Sequence, residues 1–372
     1  MKTKVHFKGL DELRAIAALL VFVHHVELFK SREGYASMYR ISFLHNFISK
    51  IGNYSVICFF VLSGFLITYL LLSEKRQTGA INIRAFYKRR VLRIWPLYYL
   101  IIFIGFCLLP ILNHYFPTDA QHVFPNRISN LDFSSIFLFL FMLSNFTSAY
   151  YGPVAGASQT WSVSLEEQFY LIWPWLLAFI KTPQNVLKFI SALLILKLLL
   201  SFLARNYFPA QTFVAIFFRN FSIEYMCVGG IVATVVFIGS IPKRIIAILQ
   251  NRYFTIFFGI FLFICCGLIN SAIVIALLCG VLILTIIKSG FEIPFLKPIG
   301  TISYGIYMLH PLCIYLTFSL AAKLTSVYQF TVVLYLLSLL LTLALAYLSH
   351  RFYEMPFLKL KHKYNVVDSG SL

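Results

Sequence analysis

Residues 54–73, YSVICFFVLSGFLITYLLLS, run for twenty positions without an Asp, Glu, Lys, Arg or His. Residues 74–93, EKRQTGAINIRAFYKRRVLR, follow with seven basic side chains against the single acid Glu74. About 20 mostly apolar residues are what a helix needs to cross the hydrocarbon core. A cluster of Lys and Arg at one end marks the cytoplasmic side of such a helix. This pair of segments therefore reads as a membrane span with its direction attached. Composition extends the reading to the whole chain. Of 372 residues, 60% are hydrophobic, 17% aromatic and only 12% charged, where a soluble domain carries about 25% charged residues. Mean hydropathy is +0.83. These values exclude a disordered, collagen-like, coiled-coil or nucleic-acid-binding chain and leave an all-α polytopic membrane bundle. The net charge of +18 fits basic cytoplasmic loops and contact with anionic lipid.

Ten apolar runs are candidate spans: 13–29, 54–73, 94–113, 162–180, 187–204, 220–239, 253–269, 272–288, 300–320 and 330–349. An eleventh, 134–146, is short and ends at Thr147 and Ser148. The basic stretches 74–93 and 350–364 and the N-terminus all read as cytoplasmic, which requires an even number of crossings. Ten fits, so 134–146 is expected to be a re-entrant or membrane-surface helix within an outer segment 114–160 that holds Arg127 as its one base. Residues 1–352 then form one transmembrane domain and 353–372 a short basic cytoplasmic tail. Lys2, Lys4 and Lys8 before the first run suggest a signal peptide, but Asp11, Glu12 and Arg14 interrupt it and no small-x-small cleavage site follows. It reads as an uncleaved first span. Seven cysteines, all in apolar stretches and without CxxC or zinc spacing, read as small buried hydrophobes. No metal site is expected.

Ionisable groups in lipid are costly unless they face a protein interior or a water-filled cavity. The first run carries Arg14 and, eleven residues on, His25. That is close to three turns, so both lie on one face, about 16 Å apart along the axis. A cation at the inner mouth and an imidazole deep on the same face would line one tunnel. In the simpler alternative Arg14 snorkels and His25 bonds a neighbouring helix. His24 points about 100° away and reads as structural. In 159–175, QTWSVSLEEQFYLIWPW, Ser162 and Glu166 share a face with Phe169 and Tyr170, and Glu167 lies beside them. One of the two carboxylates would orient His25 and raise its basicity; alternatively Trp161 and the glutamates form an interfacial belt. In 86–99, Arg90 and Arg93 share a face beside Arg89 and Lys88. Guanidinium forks suit phosphates, although positive-inside alone accounts for them. Trp95, Tyr98 and Tyr99 would hold an adenine or fix the helix at the interface. His310 would line the same cavity or, more simply, sit as a satisfied core histidine; Lys197 snorkels or pairs with a neighbour; Gly64 and Gly229–Gly230 read as close helix contacts. No GxSxG, HExxH or P-loop pattern occurs.

Six stretches taken in order resemble the acyltransferase-3 family, membrane proteins that move acyl groups from the cytoplasm onto surface carbohydrates. They are LDELRAIAALLVFVHH (10–25), FFVLSGFLIT (59–68), FYKRRVLRIWPLYY (86–99), TWSVSLEEQFYLIWP (160–174), ISYGIYMLHP (302–311) and HRFYEMPFLKL (350–360). The family's Arg-x10-His falls on Arg14 and His25, its Arg-x-x-Arg on Arg90 and Arg93, and its Trp-Ser…Glu-Glu stretch on Ser162, Glu166 and Glu167. Glu12 departs from a usual glycine and is expected at the cytoplasmic edge. The resemblance implies a multi-pass protein of a bacterial inner membrane that transfers an acyl group, acetyl by expectation, from acyl-CoA to a hydroxyl of a surface carbohydrate or glycolipid. No permanently bound cofactor is implied. Longer members append an SGNH hydrolase-like domain. None is expected here, so the chain would act alone or with a separate extracytoplasmic transferase. In the implied mechanism Arg14, Arg90 and Arg93 hold the CoA phosphates. His25 is the general base supported by Glu166 or Glu167, and an acyl-His25 or acyl-Ser162 intermediate is a variant. The rival from another class is a secondary transporter or exporter in which His25, Glu166 and Lys197 relay protons. Paired halves with matching broken helices, which would favour it, are not evident. A polymerase or flippase for lipid-linked sugars would favour outer loops richer in Arg.

Overall fold

The computed structural model describes residues 7–111, 133–324 and 326–364, and among these it is built of helices and turns alone. Arg127, most of the outer segment 114–160 before residue 133, and residues 365–372 of the tail lie outside the described residues. α1 (Leu10–Arg32) carries Asp11 and Glu12 in its first turn and Lys30 and Arg32 in its last, the charges that complement the helix dipole. α2 (Ser42–Thr78) runs for 37 residues and stops at Gly79, whose φ of 78° is the left-handed conformation glycine adopts at little cost. α3 (Ile83–Phe103) starts where the Asn82 side chain accepts the Ala85 N–H. The basic stretch 84–93 thus forms the first three turns of α3. Arg, Lys, Ala and Leu are strong helix formers, and only Gly79–Asn82 remains as a turn. Glu74, itself buried, fastens that turn by accepting the Asn82 N–H at 2.7 Å and Arg89 Nη2 at 3.1 Å.

The short run at 134–146 is broken into α4 (Phe133–Leu140) and α5 (Ser144–Tyr150), with Met142 between them at φ 56°. Eight residues of α4 extend about 12 Å, well short of the roughly 30 Å core. The remaining helices are α6 (Thr160–Phe179), α7 (Pro183–Tyr207), α8 (Phe213–Asn220), α9 (Glu224–Ile238), α10 (Lys243–Leu249), α11 (Arg252–Leu268), α12 (Ala272–Ser289), α13 (Lys297–Thr301), α14 (Ser303–Ala321), α15 (Val327–Leu348) and α16 (Met355–His362). Wide π-type turns at Ile104–Leu108 and Ser349–Glu354 continue α3 and α15. Residues read as the start of a tail at 353 are thus helical as far as His362, and Arg89 Nη1 donates to the Tyr364 carbonyl at 2.8 Å.

Seven helical stretches are long and apolar enough to cross a membrane, or eight if α10 and α11, bent by 74°, count as one. The two other expected spans are α1 and α6, of 23 and 20 residues. They are not among the seven, since they carry the ionisable and amide side chains. Outward faces of α7, α11 and α15 expose Ile195, Leu199, Phe202, Phe257, Phe261, Leu336 and Leu340, a surface suited to lipid and not to water.

α2 is the central strut, with α9 lying along it. A methyl on Gly64 would overlap the Met226 carbonyl, and one on Gly229 the Val61 carbonyl, so the two backbones touch where the glycine pattern placed a close crossing. Lys75 Nζ donates to the carbonyls of Leu177, Ala178 and Ile180 at 3.0, 2.8 and 2.7 Å, tying the C-terminal end of α6 to that of α2. Six cysteines are buried as expected, while Cys107, on the π-type turn after α3, is exposed. Glu12, in the first turn of α1, is buried, and its Oε1 has no hydrogen-bond partner among the described residues.

Candidate active site

α1, α2, α3, α6 and α14 enclose a cavity of about 170 Å³. Along α2 its lining runs from Val56 to Leu70, about 21 Å of helix. Phe7, Leu10, Asp11 and Leu70 form one end, at the first turn of α1; Val56, Phe59, Ser162 and Tyr307 form the other. Between them lie Arg14, Arg90, Arg93, Glu166, Tyr170 and Ser63. The helical spacing read from sequence thus brings Ser162, Glu166 and Tyr170 to a single wall, opposite three guanidinium groups.

The charges in this cavity are unequally satisfied. Arg14 Nη1 is 2.6 Å from Asp11 Oδ1. The Arg90 guanidinium lies 5.6 Å from the Tyr170 ring centroid and 5.7 Å from that of Phe86, with its Nε buried and unpartnered. Arg93 makes no hydrogen bond or ion pair among the described residues; Arg14 and Arg90 are among its charged neighbours, with Asp11. Glu166 Oε2 accepts from the Tyr170 hydroxyl at 3.1 Å, and Tyr170 is hydrogen-bonded in turn to Ser63. Three cations against Asp11 and Glu166 leave the cavity positive. Forked donors in such a setting suit phosphate or carboxylate oxygens.

The far end is closed by hydroxyl groups. Ser162 Oγ donates to the Tyr307 hydroxyl at 2.8 Å, and that hydroxyl donates to the Gln159 carbonyl at 3.1 Å. Gln159 Nε2 donates to the Met308 and Gly156 carbonyls at 2.7 and 2.8 Å, pinning α14 against the start of α6.

His25 does not line this cavity. Its Nδ1 is 2.9 Å from the Val21 carbonyl and 3.2 Å from His310 Nε2. His310 is fully buried, its Nδ1 is 3.1 Å from the Ile306 carbonyl, and its ring centroid is 5.9 Å from that of Tyr307. Two expectations bear on this geometry. Arg14 lines the cavity and His25 is not among its lining residues, although the two share a face of α1. Neither glutamate reaches His25: Glu166 is bonded to Tyr170, and Glu167, a hundred degrees further round α6, accepts from Trp95 Nε1 at 3.0 Å with its Oε1 buried and unpartnered. The partner of His25 is the histidine that the sequence suggested was merely satisfied in the core.

The other aromatic and charged positions resolve simply. Tyr98 donates to the Phe139 carbonyl at 2.8 Å and lies 3.1 Å from Ser164 Oγ, while Tyr99 donates to the Leu140 carbonyl at 3.0 Å. Both fasten α4 to α3. His24 Nδ1 is 2.7 Å from the Ile48 carbonyl and 3.3 Å from Tyr39, whose hydroxyl burial pushes up to about 12. Lys197 lies 3.3 Å from Glu224 and donates to Ser201 Oγ and the Phe218 carbonyl at 2.6 and 3.0 Å, outside the cavity that holds Glu166. Beyond Tyr307, Glu27 also went unremarked in the sequence. This fully buried carboxylate accepts from Lys30, Tyr335, Ser37 and the Met38 N–H at 2.9, 2.8, 2.9 and 2.5 Å. An acid two residues after His25 inside an apolar run was the available signal.

Fold and site together define a multi-pass helical membrane protein with an arginine-lined cavity in its bundle. The pattern of the acyltransferase-3 family, described as an acyltransferase domain, matches residues 7–351, and the chain belongs to that family. The peptidoglycan O-acetyltransferase OatA of Listeria monocytogenes serovar 1/2a is 26% identical over 388 residues, covering 96% of this chain and 56% of that protein. The O-acetyltransferase OatA of Staphylococcus aureus strain NCTC 8325 is 25% identical, covering 95% of this chain and 57% of its own. The putative peptidoglycan O-acetyltransferase YrhL of Bacillus subtilis strain 168 is 35% identical over 177 residues, 46% of this chain and 24% of that protein. The chain therefore spans about half the length, or less, of the relatives it matches. No solved structure matches it. The sequence-based expectation of an acyltransferase is borne out at the level of the family, whose relatives here are O-acetyltransferases.

Proposed function

We propose that this protein is a membrane O-acetyltransferase that takes the acetyl group of acetyl-CoA from the cytoplasm and places it on a hydroxyl of a cell-surface or lipid-linked glycan, in a bacterial inner membrane. The observation that carries the reading is the cavity itself: three guanidinium groups, one of them without a partner, lead over about 21 Å of α2 from the first turn of α1 to Ser162 and Tyr307. An elongated donor with anionic phosphates and a thioester at its tip fits that gradient from charge to hydroxyl. The names of the relatives favour acetyl as the acyl group and a peptidoglycan-type hydroxyl as the acceptor. In this reading α1 and α6 join the eight apolar stretches to make ten crossings, with both termini cytoplasmic. A separate extracytoplasmic transferase is a fitting partner for handing the group onward.

Arg90, Arg93 and Arg14 bind the donor phosphates, and the pantetheine arm runs toward Ser162. For the thioester to meet His25, the Tyr307 ring swings aside as the arm arrives. His25 Nε2 then takes the proton of the acceptor hydroxyl as its oxygen attacks the thioester carbonyl carbon. The tetrahedral intermediate collapses with cleavage of the C–S bond, and His25 returns the proton to the departing thiolate. The products are the acetyl ester and free CoA. General-base help of this kind contributes about 10²–10⁴-fold, and holding donor and acceptor together supplies much of the rest. A proton-relay transporter has less support, because Lys197 is bonded to Glu224 away from Glu166.

The test uses radiolabelled acetyl-CoA and purified protein in liposomes with a glycan acceptor. Label is expected on the glycan, and His25→Ala should lower transfer by about 10²–10⁴-fold with acetyl-CoA affinity held within about twofold. Near-normal turnover of His25→Ala would overturn the base assignment; gradient-driven flux without label would overturn the transferase reading.

A further inference from the structure

The unpaired role in this mechanism is the group that holds His25 in register and shares the charge it gains. Both carboxylates expected to do so are bonded elsewhere. We infer that His310 is the positioning residue of the base, and this rests on the proposed acetyl-transfer reading.

Two backbone carbonyls decide which nitrogens carry hydrogen. A carbonyl oxygen only accepts, so the nitrogen 2.9 Å from the Val21 oxygen, His25 Nδ1, bears a hydrogen. The nitrogen 3.1 Å from the Ile306 oxygen, His310 Nδ1, bears one by the same rule. Each carbonyl comes from four residues earlier on the same helix, so the tautomers are set by α1 and α14 themselves. His310 Nε2 is then a lone pair, and it faces the His25 N–H at 3.2 Å. The hydrogen is shared between the Val21 carbonyl and the His310 ring. The consequence is that His25 Nε2 keeps its lone pair free, and that is the atom a general base must present.

The two acceptors differ in kind. The Val21 carbonyl belongs to the helix that carries His25 and moves with it, whereas His310 sits on α14 and holds the ring against the opposite wall. When His25 takes the acceptor's proton at Nε2, its Nδ1–H becomes a charge-assisted donor. The bond to His310 Nε2 strengthens at that moment, which is when it lowers the barrier. His310 is buried and bonded at both nitrogens, so it touches neither donor nor acceptor and acts only through His25.

His310→Gln offers a carbonyl oxygen close to the place of Nε2; His310→Leu fills the space without an acceptor. Transfer and acetyl-CoA affinity are measured for both in the liposome assay. The expected result is that His310→Leu loses about 10- to 100-fold in transfer, the worth of one charge-assisted hydrogen bond. His310→Gln should recover to within about tenfold of the native rate, with acetyl-CoA affinity native in both. The same pair is then made on a His25→Ala background, where His310→Leu should cost nothing further because the ring it positions is gone. A His310→Leu enzyme at native rate overturns the assignment, as does a His310→Gln enzyme no better than Leu. A further 10- to 100-fold loss on the His25→Ala background also overturns it, as the mark of a role in folding alone. If His25→Ala itself retains turnover, the base reading has failed and not the positioning by His310.

Discussion

Arg93 is a guanidinium in the wall of a cavity, without a hydrogen bond or ion pair among the described residues. Its neighbours include the like charges of Arg14 and Arg90, and the nearby Asp11 carboxylate is already bonded to Arg14 at 2.6 Å. A cation held in this way costs free energy in the empty protein and repays it only when an anion arrives. Arg93→Leu should therefore separate two quantities that usually fall together. Without ligand, the variant should melt at the native temperature or slightly above it. With acetyl-CoA it should lose one charge-assisted contact, about 1.5–3 kcal/mol, or some 30-fold in affinity. At a concentration of acetyl-CoA 100 times the native dissociation constant, binding stabilises the native protein by about 2.7 kcal/mol and the variant by about 0.9 kcal/mol. For a chain of this size that is a ligand-induced rise in Tm of about 3–4 °C against about 1 °C. Thermal melting in nanodiscs with and without acetyl-CoA, beside calorimetric titration, reads both numbers. A variant that melts several degrees low when empty, yet binds acetyl-CoA like the native protein, would show that Arg93 serves the fold and that the phosphate reading is wrong.

Two further predictions concern what holds the cavity open. Gly64→Ala puts a methyl into the Met226 carbonyl, where α2 and α9 touch. Overpacking of this kind costs about 1–3 kcal/mol or more, and because α2 lines the cavity from Val56 to Leu70, acetyl-CoA affinity should fall with Tm. Gly259→Ala, whose methyl would find its nearest neighbour 3.9 Å away at Leu282, is the control and should gain up to about 1 kcal/mol as a better helix former. Glu27→Gln leaves Lys30 buried without its carboxylate and should cost about 3–5 kcal/mol. Faster hydrogen exchange over residues 33–41 is expected as the Ser37 and Met38 contacts loosen, and adding Lys30→Met should restore part of the stability.

Much of this architecture is legible in the sequence because membrane insertion obeys local rules. Twenty residues without charge at 54–73 declare a helix whatever surrounds them, since no other backbone satisfies its own polar groups in lipid. Likewise the four-residue spacing of Ser162, Glu166 and Tyr170 places them on one wall before any neighbour is known, and the glycines at 64 and 229 announce a close crossing. The helical spacing of Arg90 and Arg93 was also there to be read, and α3 extends it back to Ile83, capped by Asn82.

What the sequence left open is everything that depends on which helix faces which. Arg14 and His25 share a face of α1, yet only the packing of the helices puts Arg14 in the cavity wall and His25 against His310. Glu166 and Glu167 are equivalent candidates in sequence; rotation of α6 against α3 gives Glu167 to Trp95, while Glu166 stays with Tyr170 one turn on along its own helix. His25 and His310 are 285 residues apart, and no pattern along the chain records that two rings will meet. Periodicity fixes the angle of a side chain about its own axis, because that follows from 3.6 residues per turn. The partner at the end of that angle is set by crossings between helices distant in sequence, and these exist only once the bundle has closed.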